Sequence, residues 1–143
     1  MKKWLILLVP VFLVCCQSAV DEAAIAQEIE LILDTQAKAW NAGDFRSFME
    51  PYWNSEEMTL QSGNNRLYGW QALLDRYEAT YAGEKMGILS FKDLEIKVLS
   101  SDLAYALGRF HLSYPDSALE GLFTILLKRS SEGWLIIHDH SSS

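Results

Sequence analysis

Along residues 22–41, apolar side chains return every three or four positions. Ile25, Ile29, Ile32, Gln36 and Trp40 fall on one stripe, which predicts a long amphipathic helix. Asn41-Ala42-Gly43 closes it, with Gly43 as the C-terminal cap. Asp44 supplies an N-cap carboxylate to a short second helix in FRSFMEPYW, which Pro51 ends. EEMTLQSG reads as a short strand running into a turn at Gly63-Asn64-Asn65. GWQALLDRYEATYAG is a third helix, with Trp70, Leu73, Leu74, Tyr77 and Tyr81 on its apolar stripe. After Gly83 the period changes. MGILSFKDLEIKVLSS, DLAYALGRFHLSYP, ALEGLFTILLKRSS and GWLIIHDHSS alternate as strands, separated by turn-forming residues. Links this short join antiparallel neighbours, so the four strands form a meander. Helices followed by a run of strands give an α+β fold with the helices packed on one face of a sheet.

The chain has 143 residues, half of them hydrophobic and 22% charged, which fits one globular domain. Its formal net charge of -7 argues against nucleic-acid binding, which relies on a basic surface. Residues 1–16 differ from the rest. Lys2 and Lys3 precede an apolar run from Trp4 to Cys16, the order of an export signal. That run has about 13 residues, whereas a membrane-crossing helix needs about 20. Leu13-Val14-Cys15-Cys16 resembles a bacterial lipobox, which implies lipidation at Cys16. Gln17, rather than Asp, follows that cysteine; the resemblance then implies the outer membrane in a cell that has one. The expected organisation is a signal segment over 1–16, a tether over 17–23 and a domain over 24–143. Both cysteines lie in the signal segment, so the exported domain has neither an internal disulfide nor thiolate chemistry.

Several pieces of the chain resemble SnoaL-like domains of the nuclear transport factor 2-like (ketosteroid-isomerase-like) superfamily. They are Ala39-Trp40-Asn41-Ala42-Gly43-Asp44 before a short helix, Gly69 opening the third helix, Gly121-Leu122-Phe123-Thr124 leading to Gly133-Trp134, and the closing Ile136-Ile137-His138-Asp139-His140-Ser141-Ser142. The resemblance runs from about residue 24 to the end. It implies a cone-shaped half-barrel: three N-terminal helices packed on a curved, mostly antiparallel sheet, with a pocket between them and often a dimer formed through the sheets. The superfamily includes isomerases, cyclases, dehydratases and non-catalytic assembly domains, so the fold leaves the function open.

In the closing strand, strict alternation puts Trp134, Ile136, His138 and His140 on one face and Leu135, Ile137 and Asp139 on the other. The resemblance assigns the tryptophan-to-histidine face to the pocket. His138 and His140 admit four readings: structural hydrogen bonding at a chain end, pocket lining, acid/base chemistry and metal binding. Zinc needs a third ligand. His111 shares a face with Tyr105, Leu107 and Arg109, opposite the small residues that suit a cavity wall, so no metal site is expected. For acid/base work, His140 is the candidate catalytic group, with Tyr52, Tyr77 or Tyr81 as hydroxyl donors. The strand pattern places no Asp or Glu in the cavity. Asp93 and Glu95 share a strand face with Phe91, but Lys92, Leu94 and Ile96 make the other face equally plausible. Trp40, Trp53, Tyr77, Tyr81, Phe123 and His138 are the candidate ligand-binding residues, aromatic enough for a flat or lipid-like molecule.

The functional expectation is a cell-envelope lipoprotein, anchored to the membrane by lipid on Cys16, whose domain binds a small apolar molecule without a cofactor. The alternatives are an isomerase or dehydratase using a pocket histidine, and a non-catalytic homodimeric assembly domain with Arg109 and His111 near the interface.

Overall fold

A computed structural model describes residues 20–143. The signal segment, Cys16 and residues 17–19 of the tether lie outside the described residues. Helix α1 spans Glu22–Asn41 and starts on Asp21, whose carboxylate accepts from the Ala24 amide at 3.0 Å. It buries Ile25, Ile29, Leu33, Gln36 and Trp40. Leu33 thus takes the buried place expected of Ile32, which is only partly covered. Helix α2 (Phe45–Phe48) is capped by Asp44, which accepts from the Ser47 amide at 3.0 Å and from its hydroxyl at 2.7 Å. Helix α3 spans Trp70–Tyr81 and buries Leu73 and Leu74. No described helix is long and apolar enough to cross a membrane.

Among the described residues, six strands form one sheet: β1 (Thr59–Ser62), β2 (Asn65–Tyr68), β3 (Ile88–Val98), β4 (Leu103–Ser113), β5 (Ala118–Ser130) and β6 (Gly133–Ser142). Their order is β2-β1-β6-β5-β4-β3. Strands β3 to β6 make the expected antiparallel meander. The expected short strand ends in a turn; beyond that turn the chain folds back as β2, and β1 joins β6 in parallel. The fold is α+β, with the helices against one face of the sheet.

The Trp40-Asn41-Ala42-Gly43-Asp44 stretch acts as a clasp. The Asn41 side chain accepts from the Leu89 amide at 2.7 Å and donates to the Leu89 carbonyl at 3.0 Å, pinning the end of α1 to β3. Trp40 donates its indole N–H to the Gly87 carbonyl at 3.2 Å while its ring packs edge-on against Phe45, Phe48, Tyr77 and Tyr81. Gly43 turns the chain at φ +79°, which a side chain would resist.

Two irregularities decide which side chains face inward. In β6, Leu127 pairs with Ile136 and Leu126 with His138, leaving Ile137 as an extra residue. In β3, the register shifts between Lys92 and Glu95, with Asp93 at φ +53°. Each bulge reverses the phase of the residues beyond it.

Candidate functional site

A partly open cavity of about 120 Å³ lies between the three helices and the inner face of the sheet. For scale, a cavity of about 150 Å³ accommodates benzene. Trp40, Phe48, Phe91, Phe110 and Phe123 supply most of its aromatic wall. Gly108 leaves the space that the Phe123 ring fills, since a Cβ there would stand 2.6 Å from that ring.

The deepest chemistry is a carboxyl–hydroxyl pair. Pro51–Trp53 runs extended beside β6: the Ile136 amide donates to the Pro51 carbonyl at 2.7 Å, and the Trp53 amide to the Ile136 carbonyl at 2.9 Å. Clipped this way, Tyr52 faces inward and donates its hydroxyl to Asp139 Oδ2 at 2.8 Å. Ser141, on the same strand face, donates to Oδ1 at 2.9 Å. Asp139 is 5% exposed, and both it and Tyr52 line the cavity. Burial pushes the Asp139 carboxyl above its usual range, although hydrogen bonds from Tyr52 and Ser141 and the neighbouring histidines pull the other way. Burial, with Asp139 nearby, likewise pushes the phenols of Tyr52 and Tyr77 up, so both hydroxyls stay protonated donors. Gln36, buried at 2% exposure, is held by donation to the Phe48 carbonyl at 2.9 Å. Ser62, Arg76 and Tyr81 complete the polar lining.

The sequence-predicted residues divide cleanly. Trp40, Tyr77, Tyr81 and Phe123 line the cavity. Trp53 does not, because it follows the inward-facing Tyr52 on an extended segment. The expectation that His138 and His140 share the inner face with Trp134 and Ile136 is corrected. The Ile137 bulge turns both histidines to the outer face and brings Asp139 and Ser141 inward. His138 Nδ1 meets Thr59 Oγ1 at 2.5 Å on the neighbouring strand, and His140 is exposed beside Gln61. His140 therefore does not reach the cavity as an acid/base group. His111 pairs with Glu120 at 3.2 Å, also outside. Among the described residues, no three His, Cys, Asp or Glu side chains converge as a metal site. The bulge in β3 sends Asp93 and Glu95 outward, with Asp93 3.7 Å from Arg109.

Asp139 is the residue that sequence reasoning missed. Strict alternation from Trp134 puts it outside. The signal in the sequence is the one carboxylate of β6, set among His138, His140 and Ser141 after the apolar run Trp134–Ile137, a group that needs a hydrogen-bond partner wherever it is covered.

The SnoaL-like domain family matches residues 29–143. No curated protein matches the chain. Among solved structures, an NTF-2-like protein of unknown function from Shewanella oneidensis is 35% identical, with a TM-score of 0.79 over 82% of this chain and 98% of that one. An NTF2-like protein of unknown function from Pseudomonas putida is 19% identical, with a TM-score of 0.70 over 87% and 89%. A proposed scytalone dehydratase from Novosphingobium aromaticivorans is 11% identical, with a TM-score of 0.70 over 83% of each chain, a likeness of fold alone.

Proposed function

The chain belongs to the SnoaL-like domain family, and from that premise we propose that it binds a small, largely apolar molecule of about one ring, with a polar atom of that molecule at the Tyr52–Asp139 pair. The observation that carries this reading is the cavity itself: aromatic walls converging on one buried carboxyl with its hydroxyl donor. Apolar walls supply affinity, and a few fixed polar groups orient the ligand. Toluene and p-cresol, titrated into the full chain by calorimetry, test it. Both are expected to bind saturably. p-Cresol is expected to bind more tightly because its hydroxyl meets the pair, an advantage reduced by Tyr52→Phe. Absence of saturable binding by either probe defeats the reading.

A second reading has one specific support. Asp139 faces the cavity with its proton affinity raised by burial, as a group that takes and returns a proton requires. An isomerase- or dehydratase-type reaction would then use Asp139 with Tyr52 or Tyr77 as donors. Such a site exchanges the α-protons of a bound cyclic ketone with deuterated water. NMR of cyclohexanone with the wild type and Asp139→Asn tests this; equal exchange by both defeats it.

The setting proposed for the domain is the cell envelope, with a lipid anchor on Cys16. Its support is the order of Lys2-Lys3, apolar run and Cys16. A homodimer through the outer sheet face is supported by Leu107, Leu122 and Leu126 on that face, Leu122 being 57% exposed.

A further inference from the structure

The cavity has a second polar end. We propose that this end selects a carboxylate, so that the ligand is a small amphipathic monoanion, an aromatic or alicyclic carboxylic acid held by Arg76. This inference rests on the ligand-binding reading above and names the class of ligand.

Arg76 is unlike the other arginines. The chain has five. Arg129 pairs with Glu28, Arg109 with Asp93, Arg66 donates to Gln61 Oε1, and Arg46 lies over the Trp70 ring. Arg76 has no ion pair, side-chain hydrogen bond or aromatic stacking contact among the described residues. Its neighbour Asp75 is taken up by Gln71 at 2.7 Å. Yet Arg76 is half-buried and is the one cationic side chain among the described residues lining the cavity. In a chain of net charge -7, acidic partners for an arginine are plentiful, and α3 presents this one to the cavity instead.

Arg76 enters the cavity lining from α3 and Asp139 from β6. Tyr77 feels the charge of both, and Tyr81 that of Arg76. A carboxylate placed beside Asp139 would meet a second carboxyl in a poorly solvated site, which is unfavourable. At Arg76 it meets a planar guanidinium able to grip both its oxygens. A single cation in an apolar cavity matches a monoanion. A phosphate would bring nearly two charges and three acceptor oxygens, more than this lining satisfies. The ligand then lies with its ring against the aromatic wall, its carboxylate on Arg76 and any neutral polar atom at Tyr52–Asp139.

Calorimetric titration of the full chain with 4-methylbenzoate, 4-methylbenzamide and toluene tests the assignment. The amide keeps the shape and removes the charge. The benzoate is expected to bind about tenfold more tightly than the amide. Arg76→Gln should abolish that preference, and Arg76→Lys should keep part of it. In the wild type, added salt should weaken the benzoate but not toluene, a readout that needs no variant. Toluene binding without any benzoate preference, or a preference that survives both Arg76→Gln and high salt, overturns the carboxylate assignment while the cavity reading stands. If none of the three probes binds, both readings fall.

Discussion

Tyr52 and Asp139, 87 residues apart in the chain, meet as hydroxyl donor and carboxylate acceptor at 2.8 Å inside the cavity. Neither position is legible without the other. Tyr52 is aimed by an extended segment clipped to β6, and Asp139 is turned inward by the bulge at Ile137 in that same strand. One strand therefore builds both halves of the pair.

Removing the donor should cost stability. Tyr52→Phe leaves Asp139 with only Ser141 as a hydrogen-bond donor in a buried setting, for a loss of about 1–3 kcal/mol. Urea denaturation at neutral pH measures it. A variant as stable as the wild type would mean that the carboxyl finds water or another donor.

Stability should depend on pH through Asp139. Its carboxyl is raised in the folded state, so the folded chain holds this proton more tightly than the unfolded chain does. The stabilising contribution is complete below the ordinary Asp value of 3.8 and is lost as pH rises through the raised folded value. Denaturation of the wild type and Asp139→Asn across acidic to neutral pH should show the wild type gaining on the variant as pH falls through that window. A constant difference between them refutes the shift.

His140→Ala should leave probe binding unchanged, because the side chain is exposed on the outer sheet face. A several-fold loss of p-cresol affinity in calorimetry would contradict the inward turn of Asp139 at the bulge.

Gly108→Ala tests the cavity wall. The new Cβ would sit 2.6 Å from the Phe123 ring and 2.9 Å from Leu94 Cδ2, so Phe123 must move toward the cavity. Overpacking of this kind costs about 1–3 kcal/mol. Weakened toluene binding should accompany the fall in melting temperature.

Leu122→Glu addresses the proposed dimer. If the outer face is the interface, a charge at this exposed position should give monomers in sedimentation where the wild type gives dimers. A wild-type chain that is monomeric at high concentration removes the proposal.

The sequence by itself determined what is local. The stripe from Ile25 to Trp40, the Asp44 cap, the Gly43 turn, the four long strands as elements and the unbroken alternation of β4 are each set within a few residues by periodicity and backbone chemistry. Trp40, Tyr77, Tyr81 and Phe123 were legible as cavity candidates for the same reason, since they stand on strongly periodic elements. Tertiary structure alone decided the rest. A bulge depends on how one strand registers against its neighbour, and no period within β6 announces that Ile137 is the residue left over. That one extra residue moved His138 and His140 out and Asp139 in. The parallel pairing of β1 with β6, and the meeting of Tyr52 with Asp139, are likewise contacts between distant segments. The pairing satisfies backbone groups of both strands, and the Tyr52 contact gives a buried carboxyl the donor that only the folded chain supplies.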